Sequence, residues 1–174
     1  MIDFHPIAVH FPIALLTLYA MLQCMPPKIT WRSNPLFLLN SFLVIVGSAS
    51  LLVARQLGDQ LEDTHRDVAH LVHVHSAWAT YATALYGIIT IIYFLLIVKK
   101  LDEDRAMPRV LHVLAGTVSP VTRIAKFLFD YYVVTLLAIM GFILMMVTGA
   151  LGGAIVYGAT ADPFVSFVYS WLVQ

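Results

Sequence analysis

The sequence is poor in charge and nearly devoid of cysteine. Lysine, arginine, aspartate and glutamate make up only 11% of its 174 residues, against 60% hydrophobic residues, and the mean hydropathy is +0.86. That shortage excludes the surface of a soluble globular domain and leaves an integral membrane protein. Lys plus Arg and Asp plus Glu both number 10, so no net charge draws nucleic acid or an acidic partner. The single cysteine, Cys24, excludes an internal disulfide and a cysteine-cluster metal site; it is expected as a packed thiol near a helix end. A Gly-rich phosphate loop, a paired-histidine metalloprotease helix and a nucleophile elbow are all missing. No catalytic residue is therefore assigned, and an electron-transfer or accessory subunit is expected rather than an independent enzyme. Asp3 and an unbasic start, with Pro6 and Pro12 inside the first apolar run, argue that this segment is retained and not cleaved as a signal peptide.

What is present is a set of apolar runs. A hydrocarbon core of roughly 30 Å takes about 20 residues per helix, and runs at about 6–23, 36–54, 75–98 and 131–157 meet or approach that length. The expected fold is all-α, an up-and-down bundle of four transmembrane helices in one membrane domain, residues 1–174. Pro12 either opens a helix near His10 or kinks one that began earlier. Asn34-Pro35 reads as a helix start. Thr64-His65-Arg66-Asp67 reads as a capping box with Asp in place of Glu, so helix three is expected to begin before it enters the membrane. The connection over 101–130 mixes Val121, Ile124 and Phe127 with Arg123 and Lys126, and Ser119-Pro120 divides it; an interfacial amphipathic helical segment is expected there. The apolar tail 163–174 is too short to cross and is expected on the surface or against a partner.

Eight of the basic residues (Lys28, Arg32, Lys99, Lys100, Arg105, Arg109, Arg123, Lys126) fall in the connections after helices one and three, and only Arg55 and Arg66 fall on the other side. The positive-inside rule then places both termini on the outer side of a bacterial or archaeal cytoplasmic membrane. Alternating helices bring six of the seven histidines, all but His112, to that outer surface.

Histidines inside a membrane are costly unless paired, ligated or wet, and imidazole binds haem iron. His10 and His75 each lie about one turn inside their helices, so they are the expected haem ligands, with His70 or His73 as substitutes for His75. His5 and His10 stand about 140° apart on a regular helix and do not share a metal. Gly47 to Ser50 and Gly149, Gly152 and Gly153 offer small-residue faces where a flat macrocycle can approach, and Arg55 can pair with its propionates. The plainer reading of the same glycines is helix packing, and of the same histidines, solvated interfacial groups. A further alternative is a transition-metal or proton pathway through His70, His73 and His75 with Asp59, Glu62 and Asp67 at its mouth.

His5-Pro6, the stretch His10-Phe11-Pro12-Ile13-Ala14-Leu15, His75 at the start of helix three, and Leu151-Gly152-Gly153-Ala154-Ile155-Val156-Tyr157 together resemble a small bacterial membrane family named domain of unknown function 2231. The resemblance covers most of the chain, the first stretch being its most specific part; the long connection and apolar tail depart from it. It implies a four-helix membrane protein that binds haem b and works beside a cytochrome c or Rieske-type component. The expected function is electron transfer between a membrane or quinone partner and an outward-facing cytochrome or oxidoreductase. The alternative is a non-catalytic structural subunit of a respiratory or photosynthetic complex.

Overall fold

The computed structural model describes residues 5–25, 34–59, 68–103, 119–130 and 132–173. Among them there are six helices and no strand: α1 (His5–Gln23), α2 (Asn34–Asp59), α3 (Ala69–Glu103), α4 (Ser119–Asp130), α5 (Val133–Tyr157) and α6 (Pro163–Leu172). Three of these are long and apolar enough to cross a membrane, over Leu36–Gly58, Ala69–Asp102 and Val133–Tyr157, and the chain is a multi-pass helical membrane protein. The apolar part of α1, Ile7–Gln23, is shorter.

The helix ends follow their local chemistry. α1 begins at His5, so Pro12 lies inside it; the missing proline N–H leaves an i−4 carbonyl without its usual donor. α2 starts at Asn34 with Pro35 in its first turn, as the dipeptide suggests. α3 runs for 35 residues, about 52 Å at 1.5 Å per residue, and so exceeds the hydrocarbon core. The expected capping box at 64–67 lies outside the described residues, as do the loop at 26–33 and the stretch 104–118 with His112. α4 opens on Ser119-Pro120, where a proline costs no helical hydrogen bond. Asp162 caps α6 by accepting from the Phe164 and Val165 amides at 2.8 and 2.9 Å, with Pro163 at the first position. Cys24 is exposed in the turn after α1, and the packed thiol expected from its place in the chain is corrected accordingly.

Four helices close a ring in which α1 packs on α2, α2 on α3, α3 on α5 and α5 on α1. Their directions alternate. Phe37 near the start of α2 stacks on Tyr93 late in α3, while Ser48 further along α2 meets Thr90 earlier in α3. His75 at the start of α3 meets Thr148 late in α5, and Gln23 at the end of α1 meets Thr135 early in α5. α6 folds back on α5, burying Val165 and Val168. α4 lies across α3 and α5 and buries Thr122 and Ala125.

Two fully buried side chains set the helix separations from inside. Leu16 sits over Gly47, where an added Cβ would stand 2.6 Å from Leu16 Cδ2; the Tyr86 ring sits over Gly141, where it would stand 2.8 Å from Tyr86 Cζ. Outward-facing Leu18, Met21, Phe42, Ile91, Leu136 and Ile143 stay exposed, as lipid-facing side chains do.

The Tyr86 ring has no room to move aside, so Gly141→Ala is expected to lower stability by about 1–3 kcal/mol. Thermal unfolding in detergent checks this. In a double-mutant cycle, Tyr86→Leu should restore part of the loss only in the Gly141→Ala background.

Candidate functional site

Most of the chemistry at the end of the ring where α3 begins centres on His75. Its ring is half-buried, and Nδ1 lies 3.0 Å from the Thr148 carbonyl oxygen of α5. A carbonyl can only accept, so Nδ1 is the nitrogen that carries a proton in this hydrogen bond. The ring rests on Gly152, whose absent Cβ would stand 3.3 Å from His75 Cε1. Sequence and fold cooperate here: Thr148 and Gly152 lie one turn apart on α5, so one supplies the acceptor and the other the clearance. Thr148 Oγ1 itself donates to Leu144 O at 2.8 Å, closing that side chain against its own helix.

This is how a metal-bound imidazole is usually held, with the far nitrogen fixed to a backbone carbonyl and the near one presented as a ligand. A haem iron takes such a nitrogen. His75 fits that role.

The other expected site residues fall as follows. His10 is exposed on α1, on the opposite side of the helix from the buried Pro12, Leu16 and Tyr19. His70 is exposed at the start of α3, where it lines a shallow cleft with Val68, Leu71, Tyr169 and Val173, against α6. His73 is exposed, and Arg55 is half-buried one turn before the end of α2. The side chain of His5, like His65, Glu62 and Asp67, lies outside the described residues. Among the described residues no group of three or more His, Cys, Asp or Glu side chains gathers as a metal cluster.

Three of the four glycines expected to admit a macrocycle meet the chain's own side chains. Gly47 holds Leu16, Gly152 holds His75, and Gly153 meets Val165 Cγ2 at 3.5 Å. Gly149 has nothing within 4 Å of a built Cβ; it lines an apolar groove of about 330 Å³ with Ile13, Thr17, Met146 and Phe164. That groove opens beside α1 and α6, and no histidine among the described residues lines it.

A second polar constellation, at the opposite end, was not anticipated from the sequence. Gln23, only 3% exposed, donates through Nε2 to the Tyr93 hydroxyl, and Thr135 Oγ1 donates to Gln23 Oε1 at 3.5 Å. Tyr93 also meets Tyr19 edge-on at 5.8 Å and Phe129 edge-on at 5.6 Å, and it stacks on Phe37 at 5.9 Å. One tyrosine thus ties α1, α2, α4 and, through Gln23, α5 to α3. The available signal was the spacing of His75, Ala79, Ala82, Tyr86, Ile89 and Tyr93, a three-four repeat marking the inner stripe of α3. Midway, Thr90 Oγ1 donates to Ser48 Oγ at 2.8 Å, joining α2 to α3.

No family model, curated protein or solved structure matches the chain, so the site is read from its own geometry.

Nitrogen NMR of chain labelled at histidine should show His75 as the Nδ1-protonated tautomer. Gly152→Val should push the ring off the Thr148 carbonyl, and the tautomer signal should move toward the mixture seen for free imidazole.

Proposed function

We propose that this chain is a four-span membrane subunit that binds haem b and carries electrons between a membrane or quinone partner and an outward-facing cytochrome or oxidoreductase. One observation carries the reading: His75 is fixed through Nδ1 to the Thr148 carbonyl and oriented on Gly152, the support a ligating imidazole requires. His75 is the first iron ligand. His10, expected as the second ligand, faces away from the buried side of α1 and is left out of the site; Arg55 at the end of α2 is the candidate propionate partner. With Gly47 and Gly152 already filled by Leu16 and His75, those two glycines would not be the faces that admit a macrocycle. Haem, when bound, supplies the one-electron redox change; the protein supplies the ligand, its tautomer and an apolar surround that excludes water. The excess of Lys and Arg after helices one and three orients the His75 end outward, toward a cytochrome c or Rieske-type partner. The resemblance of His10-Phe11-Pro12-Ile13-Ala14-Leu15 and the α5 glycine stretch to domain of unknown function 2231 supports the same reading.

A second reading, an accessory subunit without pigment, draws on α6. Phe164, Phe167 and Trp171 recur at three and four residues and stay exposed, while Val165 and Val168 anchor the helix to α5. On that reading, Phe167→Ala with Trp171→Ala releases a co-purifying subunit and the chain has no visible absorption.

A reduced-minus-oxidised optical spectrum of the gently extracted protein tests the first reading. A haem b band is expected in wild type and lost in His75→Ala. No Soret band in wild type, even after haem reconstitution, would sink it.

A further inference from the structure

We infer that α4 is a headgroup-level helix that binds anionic phospholipid through Arg123 and Lys126. The inference is independent of haem and rests on the surface of α4, on its position in the chain, and on the charges around it.

At 100° per residue α4 has three sectors, the apolar exposed one the widest. Thr122, Ala125 and Phe129 face inward; the first two are buried and the third packs its ring on Tyr93. Val121, Ile124 and Phe127 form a second sector and are 47%, 59% and 55% exposed. Arg123 and Lys126, both exposed, form the third, with exposed Asp130 between them in the last turn. An ordinary surface helix has two sectors, one buried and one polar. A third, apolar and exposed, requires another apolar medium alongside it.

The position of α4 identifies that medium. α4 ends at Asp130, and the membrane-crossing helix α5 begins at Val133, with Tyr132 turning the chain in the left-handed region at φ 61°. Two residues cannot carry the chain far from the bilayer edge. Phe129 also packs on Tyr93, and Lys99 and Lys100 leave α3 about two turns beyond that tyrosine. The Lys100 ammonium lies 5.3 Å from the Phe37 ring centroid, as a snorkelling lysine does at the rim of the hydrocarbon. The apolar sector of α4 therefore meets acyl chains and the cationic sector meets headgroups.

Charge decides which headgroups. Among the described side chains, Lys99, Lys100, Arg123 and Lys126 share this end with the acids Asp102 and Asp130, and over 26–33 and 99–130 the sequence carries eight Lys and Arg against four Asp and Glu, a cationic excess. A phosphodiester with a neutral or anionic headgroup satisfies Arg123 and Lys126 together; a choline headgroup adds an opposing cation.

The full chain is reconstituted in nanodiscs of phosphatidylcholine with a minor fraction of spin-labelled phosphatidylglycerol or spin-labelled phosphatidylcholine, and the protein-bound fraction of each is measured. Wild type is expected to select phosphatidylglycerol over phosphatidylcholine. Arg123→Gln with Lys126→Gln should lose about fivefold of that selectivity per cation removed. Ile124→Ser with Phe127→Ser should reduce binding of both lipids at α4 and retain the preference. Equal binding of the two lipids by wild type overturns the inference, and so does an undiminished preference in the Arg123, Lys126 double variant.

Discussion

Side chains seated directly on glycine backbone hold this bundle at its observed spacing. In lipid the helices gain little by hiding apolar surface from one another, since acyl chains are as apolar as leucine; close contact has to supply the cohesion. Leu16 over Gly47, Tyr86 over Gly141 and His75 over Gly152 are three such contacts. Each places a large group where a Cβ would otherwise be. Two of the three join α3 to α5, and α3 also packs on α2 and α4, so α3 is the helix about which the others are arranged.

That spacing accounts for the polar interior. Once the helices are close, no water or headgroup reaches the hydroxyls and amides inside, and a partner across the bundle lowers the cost of their burial; the Tyr19 and Tyr86 hydroxyls and Asn40 Oδ1 are buried without one among the described residues. Ser48 and Thr90 pair across α2 and α3; Gln23 links Tyr93 to Thr135. Ser41, Thr80, Thr83 and Thr148 instead bond back to carbonyls three or four residues earlier, which satisfies them locally and links nothing. The distinction separates polar residues that fix the arrangement from those that are only tolerated within it.

The apolar runs were legible because membrane thickness imposes a length on them, and α2, α3 and α5 lie close to where those runs place them. The amphipathic pattern at 119–130 and the tail after Asp162-Pro163 were legible for the same kind of reason, periodicity and a capping residue. What did not show was rotation about each helix axis. His10 and His75 match in depth, yet His10 is exposed on α1 while His75 turns toward α5; depth is a count along the chain, whereas facing depends on which neighbour the helix meets. The glycines misled for a related reason. A small residue announces close approach without saying whether ligand or side chain makes it, and Leu16, Tyr86 and His75 are the answers here. Gln23 was passed over as the last residue of an apolar run, its partners lying 70 and 112 residues away.

The separation of His75 from its acceptor also bears on how the protein is made. His75 leaves the ribosome 73 residues ahead of Thr148, and α5 is the last of the long helices to be synthesised. Until α5 is inserted, nothing on that helix sets the tautomer or the tilt of the imidazole. A half-inserted chain therefore presents His75 without its orientation, which the imidazole acquires only once α5 is in place. Maturation of the site is thereby timed by translation itself.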